Sequence, residues 1–281
     1  MKLVRWGDAG GERPGLLDAQ GALRDLSQVV DDVAGDALTS TGIAKLCTLD
    51  PERLPVIANH PRLGAPVGRV GKIICVGLNY ADHAAESGQA VPEQPVIFMK
   101  ATSAIIGAFD DVVIPPGSEK TDWEVELGVV IGDAARGVSR EAALDHVAGY
   151  LIVNDVSERA FQFDHGGQWV KGKGCDTFAP LGPWLVTRDE IPDPQNVSMW
   201  LEVNGHRYQD GNTRTMIFDV ATLVSHISRY MALLPGDVIS TGTPPGVGLG
   251  QKPPVYLKAG DVMELGIEGL GAQRQRVVAA D

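Results

Sequence analysis

The stretch Trp123-Glu124-Val125-Glu126-Leu127-Gly128-Val129-Val130-Ile131 decides how this chain is read. Its apolar and β-branched residues predict a strand over 123–131. A side-chain period of two then places Glu124 and Glu126 on one face, with Val125, Leu127 and Val129 on the other. Their attachment points lie about 6.5 to 7 Å apart, so both carboxylates can reach one hard divalent ion through oxygens at about 2.1 Å. The same alternation also suits the solvated face of an edge strand.

Asp155 shifts the balance between those readings. It closes the apolar run Leu151-Ile152-Val153-Asn154, and so delivers a carboxylate to the lip of a buried strand, where it is costly unless paired or metal-bound. Three carboxylates from two strands make an oxygen-rich site that suits Mg²⁺ or Mn²⁺ better than Zn²⁺. Around them, 72–77, 95–100, 111–115 and 149–156 read as further strands, while 80–86, 141–146 and 218–233 carry helical signals. Asp8-Ala9-Gly10-Gly11 and Asp18-Ala19-Gln20-Gly21 punctuate a small N-terminal meander. The prolines and glycines between Pro51 and Gly71 then mark a boundary, giving an N-terminal unit over 1–69 and a main domain over 70–281.

Other candidates are weaker when taken alone. His83 and Glu86 share one side of a helix and could form a base oriented by its neighbour, or an ordinary exposed pair. Lys171 and Lys173 sit in the glycine-rich stretch 166–174, where one could anchor an anion or both could belong to a flexible basic loop. The run Thr241-Gly242-Thr243-Pro244-Pro245-Gly246-Val247-Gly248-Leu249-Gly250 is followed by Gln251-Lys252-Pro253-Pro254, which cannot open a helix under a pyrophosphate. Its amides and hydroxyls could still cradle a small carboxylate.

Composition limits the classes further. With 281 residues the chain can bury a sizeable core, and its 34 glycines and 18 prolines favour short strands and turns over a helix bundle. A net charge of −12 has the wrong sign for a nucleic-acid binder. No apolar run approaches the roughly 20 residues that span a bilayer, and the first residues lack a signal-peptide core, so a cytoplasmic protein without a membrane partner is expected. Three widely spaced cysteines suggest free thiols.

Taken together, Val76-Gly77-Leu78-Asn79-Tyr80-Ala81-Asp82-His83, Trp123 to Gly128, Asn154-Asp155-Val156-Ser157-Glu158-Arg159, Lys173-Gly174-Cys175-Asp176-Thr177 and Leu234 to Pro244 resemble, in order, the motifs of the fumarylacetoacetate hydrolase family. The resemblance spans roughly 70–281. It implies an α+β, β-rich fold, a mixed β-sandwich or roll with few helices, and usually a homodimer. It also implies that Glu124, Glu126 and Asp155 are Mg²⁺ or Mn²⁺ ligands, that His83 and Glu86 activate water, and that Lys173 is an active-site lysine. Arg159, Gln162 and Thr243 match positions that orient substrate oxygens.

Residues 209–218 and 248–254 are similar to the branch acting on 2,4-diketo-3-deoxy-L-rhamnonate or L-fuconate, many of whose members carry the name ureidoglycolate lyase. That implies cleavage of a carbon–carbon bond to pyruvate and L-lactate, with no organic cofactor. Acylpyruvate hydrolysis, and decarboxylation or isomerisation of oxaloacetate or hydroxymuconate-type acids on the same fold, are the alternatives. A non-catalytic sugar-acid binder is a further one.

Overall fold

Residues 1–82 and 91–280 are described by the computed structural model. The strands run β1 (Lys2–Trp6), β2 (Arg13–Leu17), β3 (Leu23–Asp25), β4 (Ile73–Gly77), β5 (Val96–Lys100) and β6 (Ile105–Gly107). They continue as β7 (Val112–Ile114), β8 (Thr121–Asp122), β9 (Val125–Ile131), β10 (Val147–Asn154), β11 (Ser157–Glu158) and β12 (Ala179–Thr187). The last are β13 (Ser198–Val203), β14 (His206–Asn212), β15 (Val238–Ser240), β16 (Val262–Ile267) and β17 (Gly271–Ala279). Among the described residues the α-helices α1 (Ser40–Cys47), α2 (Arg159–Phe163), α3 (Val170–Lys173) and α4 (Val220–Tyr230) interrupt them.

A ten-stranded mixed sheet has the order β3-β2-β1-β12-β10-β9-β15-β4-β5, with β6 beside β12. A five-stranded sheet, β14-β13-β16-β17-β7, packs across it. The β-rich expectation is met. Alternation explains the layering: Val125, Leu127 and Val129 of β9 meet Met199 and Leu201 of β13 and Met263 and Leu265 of β16 in the main core. On the opposite face, Val130, Leu151 and Val153 join Leu3, Leu16 and Leu38 of the N-terminal segment in a second core. Within 1–69, β1 to β3 extend the main sheet through β1 pairing with β12.

Strand β9 is hydrogen-bonded to β10 on one side and β15 on the other, so the edge-strand alternative does not hold. It also starts later than the pattern suggests, at Val125. Side chains replace the ladder there: Glu124 N donates to Asn154 Oδ1 at 3.3 Å and Val125 N to Gln209 Oε1 at 2.9 Å. The helical signal over 218–233 becomes α4, capped by Asp219, whose side chain accepts from Thr222 N. The signal over 141–146 yields only a 3₁₀ turn at Ala143–His146. Among the described residues no helix is long and apolar enough to cross a membrane.

Candidate active site

The paired strands β9 and β10 bring the acids together. Val153 lies opposite Glu126 and Asn154 opposite Val125, and Asp155 N donates to Glu124 O at 2.9 Å. One carboxylate oxygen from each of Glu124, Glu126 and Asp155 falls within 4.8 Å of the others. All three residues are buried, at 5%, 2% and 0% exposure.

Three buried cations answer them. Lys173 Nζ stands 2.8 Å from both Glu124 Oε2 and Asp155 Oδ2. Lys100 Nζ lies 2.6 Å from Asp155 Oδ1 and donates to Val156 O at 3.0 Å. Arg159 is spread over three partners, Asp122 Oδ2 at 2.8 Å, Glu124 Oε1 at 2.7 Å and Gln162 Oε1 at 3.1 Å. Burial alone would lower the Lys173 ammonium, but Asp155 and Glu124 outweigh it and hold it above its ordinary value.

Glu126 is reached differently. Its Oε2 accepts from Ser240 Oγ at 2.5 Å and Gly242 N at 2.8 Å, while Oε1 takes no hydrogen bond among the described residues. The glycine-rich run thus cradles carboxylates as its composition suggests, but they are the protein's own. Gly248 N and Leu249 N donate to Asp122 at 2.6 and 3.0 Å. At Gly242, with φ +99°, a Cβ would stand 2.8 Å from Asn79 Cβ, so the amide reaches Glu126 only from a glycine.

A cavity of about 370 Å³ opens over this cluster, lined by Glu124, Glu126, Arg159, Gln162, Lys173 and Thr243 on its polar side. Of the residues singled out in the sequence, Glu124, Glu126, Asp155, Lys173, Arg159 and Gln162 are therefore brought together. Thr243 also lines the cavity, yet its Oγ1 donates to Val125 O at 2.9 Å and accepts from Gln209 Nε2 at 2.8 Å. Its hydroxyl proton is thus committed to the fold. Lys171 lies outside, exposed, donating to His165 O at 2.6 Å. His83 and Glu86 lie outside the described residues.

Lys100 and Asp122 were not singled out. Lys100 ends the apolar run of β5, and a lysine there poses the burial problem that flags Asp155. Asp122, next to the decisive stretch, ties Arg159 to the loop that walls the cavity.

The donor set fits a hard divalent ion: three carboxylates converge, and Glu126 keeps one oxygen uncommitted beside the cavity. Burial, then Asp155 and Glu124, push the Glu126 carboxyl well above the usual carboxylate range. A raised carboxyl favours the folded chain while protonated and stops doing so as pH climbs through its folded value. The Glu126 contribution to metal-free stability is thus expected to fall as pH rises above the ordinary carboxylate range. Mg²⁺ or Mn²⁺ should reverse that fall, binding more tightly at higher pH as Glu126 releases its proton. Thermal melts and calorimetric titrations across pH check this; ion affinity independent of pH would contradict it.

A buried cluster of three carboxylates beneath a cavity, in a mostly β fold, is an arrangement suited to a divalent-metal enzyme. Residues 72–278 match the model described as fumarylacetoacetate (FAA) hydrolase C-terminal, and the chain belongs to the fumarylacetoacetate hydrolase family. Members of that family are metal-dependent enzymes acting on oxo acids. A Burkholderia multivorans relative, whose name specifies no substrate, is 63% identical over 281 residues and covers 100% of both chains. The structure of a fumarylacetoacetate hydrolase from Exiguobacterium antarcticum is 40% identical with a TM-score of 0.88, covering 100% of both chains. A maleylpyruvate hydrolase from Sphingobium sp. SYK-6, in complex with manganese(II) and pyruvate, is 30% identical with a TM-score of 0.82 over 100% of both. A 5-carboxymethyl-2-hydroxymuconate delta-isomerase from Mycobacterium smegmatis is 33% identical with a TM-score of 0.78, again over 100% of both.

Proposed function

We propose that the chain hydrolyses a carbon–carbon bond in a 2,4-dioxo acid, releasing pyruvate, with Mg²⁺ or Mn²⁺ held by Glu124, Glu126 and Asp155. The observation that carries this reading is the convergence of those three buried carboxylates beside Lys173 and Gln162 at one cavity. A divalent ion bound there supplies Lewis acidity toward the carboxylate and neighbouring keto oxygen of such an acid. The similar maleylpyruvate hydrolase, with its manganese and pyruvate, supports the choice.

The chain's own groups divide the remaining work. Lys173 carries a charge that stays on across the physiological range and offers it to oxygen developing negative charge. Gln162 gives its Oε1 to Arg159, which leaves its amide N–H groups for a substrate oxygen. Arg159 donates to Asp122, Glu124 and Gln162, and so positions Glu124 and Gln162 at the cavity. Removal of a proton from water is assigned to His83, oriented by Glu86, on the strength of the family resemblance.

The sugar-acid branch is the finer reading from sequence. Half of its signal lies in residues 209–218, none of which is among the described residues lining the cavity. Gln209 instead braces Val125, Thr243 and Pro244. Isomerisation is the second reading, favoured by similarity to the Mycobacterium smegmatis isomerase. Coupled pyruvate detection on 2,4-diketo-3-deoxy sugar acids, acylpyruvates and oxaloacetate, with a chelated control, separates these readings. Metal-dependent pyruvate with a stoichiometric second acid supports hydrolysis, whereas carbon dioxide or an isomerised product removes it. A homodimer belongs to the same proposal, and sedimentation at twice 29.8 kDa is expected.

A further inference from the structure

The cavity has two unlike sides. Its ionisable groups belong to the carboxylate cluster and its cations, whereas Leu78, Phe98, Phe163, Trp169, Val247 and Leu249 supply most of the apolar side chains among the described lining residues. The aromatic rings are mutually supported: Phe98 and Trp169 pack edge-on at 5.3 Å between centroids, and Phe163 and Trp169 at 6.1 Å. Trp169 also lies over the backbone of Gly77, where a Cβ would stand 2.7 Å from its ring. Phe98 in turn carries the Lys173 ammonium 5.1 Å from its centroid, which joins the apolar wall to the charged end.

Apart from the indole N–H of Trp169, these side chains offer nothing that hydrogen-bonds to a hydroxyl. The cations that line the cavity, Arg159 and Lys173, are already paired with carboxylates. A polyhydroxylated tail placed against these apolar side chains would lose water without regaining hydrogen bonds from them, and a second carboxylate would find no uncommitted cation among the described lining residues. A flat or aliphatic tail would instead bury apolar area against three aromatic rings.

The geometry points to a 2,4-dioxo acid whose acyl group is uncharged and apolar, aliphatic or aromatic, with Trp169 and Phe98 as the residues that set this specificity. The inference rests on the proposed hydrolysis of dioxo acids and adds the chemistry of the group released with pyruvate. That co-product is accordingly a simple carboxylic acid. Each methylene laid against the wall strengthens binding about fourfold, the factor that corresponds to its burial.

The test compares kcat/KM for acetyl-, butanoyl-, hexanoyl- and benzoylpyruvate, a 2,4-diketo-3-deoxy sugar acid and a terminally carboxylated acylpyruvate, using the full chain loaded with Mg²⁺ or Mn²⁺. Hexanoyl- or benzoylpyruvate is expected to exceed acetylpyruvate and both polar-tailed acids by at least about tenfold. In Trp169→Ala the hexanoyl-to-acetyl ratio should collapse toward unity, and Trp169→Phe should restore most of it. A sugar acid or terminal dicarboxylate as the best substrate, or a ratio untouched in Trp169→Ala, overturns the wall's role while leaving dioxo-acid hydrolysis standing. Calorimetric binding of the same acids to the metal-loaded chain distinguishes the other failure. Affinity that climbs with acyl length without any turnover keeps the wall and removes the reaction; flat affinity removes the wall.

Discussion

Asp155→Asn is expected to lower turnover about a thousandfold or more and to abolish tight binding of the divalent ion. Asp155 is fully buried, and its two oxygens face Lys100 at 2.6 Å and Lys173 at 2.8 Å. An asparagine presents one acceptor and one donor to two ammonium groups, so one of them would confront N–H groups in a water-excluded site. Breaking a buried pair in this way costs about 3–5 kcal/mol of stability. The same change removes one of three charged oxygens from the cluster, and about 4 kcal/mol lost from charge stabilisation is a thousandfold in rate. Metal content, thermal melts and steady-state rates measured together check this. A folded Asp155→Asn protein with wild-type metal content and turnover within tenfold would show that the cluster does not hold the catalytic ion.

Lys100→Met should have the second largest effect, although Lys100 does not line the cavity. The substitution keeps an unbranched apolar stem, one atom shorter, and deletes the ammonium with its charge and its N–H donors. Among the described residues it leaves Asp155 with Lys173 as its one cation and removes the Nζ donor to Val156 O. Loss of the buried pair predicts about 3–5 kcal/mol of destabilisation in the metal-free chain. Loss of a group that orients a ligating carboxylate predicts a roughly 10- to 100-fold weaker ion. Excess Mg²⁺ or Mn²⁺ should stabilise this variant by mass action, but less than it stabilises the unsubstituted chain at the same concentration, whereas a purely structural lysine would leave the two gains equal. Unchanged metal affinity in Lys100→Met, whatever its melting temperature, would reduce Lys100 to a packing role.

The contrast between Asp155 and Lys100 shows what could be read in advance. Both end an apolar strand, and both are costly there unless answered by opposite charge. Asp155 stands out because two glutamates on a neighbouring strand give it something to do. Lys100 belongs to no pattern within its own stretch, since its partner is 55 residues away. The shared face of Glu124 and Glu126 follows from the strand period. That β9 lies between β10 and β15 does not, because alternation over nine residues suits a central or an edge strand equally. Lys173 could pass for part of a flexible loop until α3 buries it, and a single helical turn leaves almost no periodic signal. Thr243 matches the family motif, but its hydroxyl bonds to Val125 and Gln209 depend on pairings that no local pattern encodes.

The mounting of the carboxylates also limits which ions they can accept. Residues 124–126 and 153–155 are fixed to each other by strand pairing and by the Asp155 N to Glu124 O bond at 2.9 Å. Each carboxylate is further pinned: Glu124 by Arg159 and Lys173, Glu126 by Ser240 and Gly242, and Asp155 by Lys100 and Lys173. Such a mount behaves as a calliper with a set opening. An ion that enters must take the oxygens largely where these partners hold them, so selection between Ca²⁺ and the smaller ions is expected to follow bond length and shell size, which competition titrations of Ca²⁺ against Mg²⁺ and Mn²⁺ check.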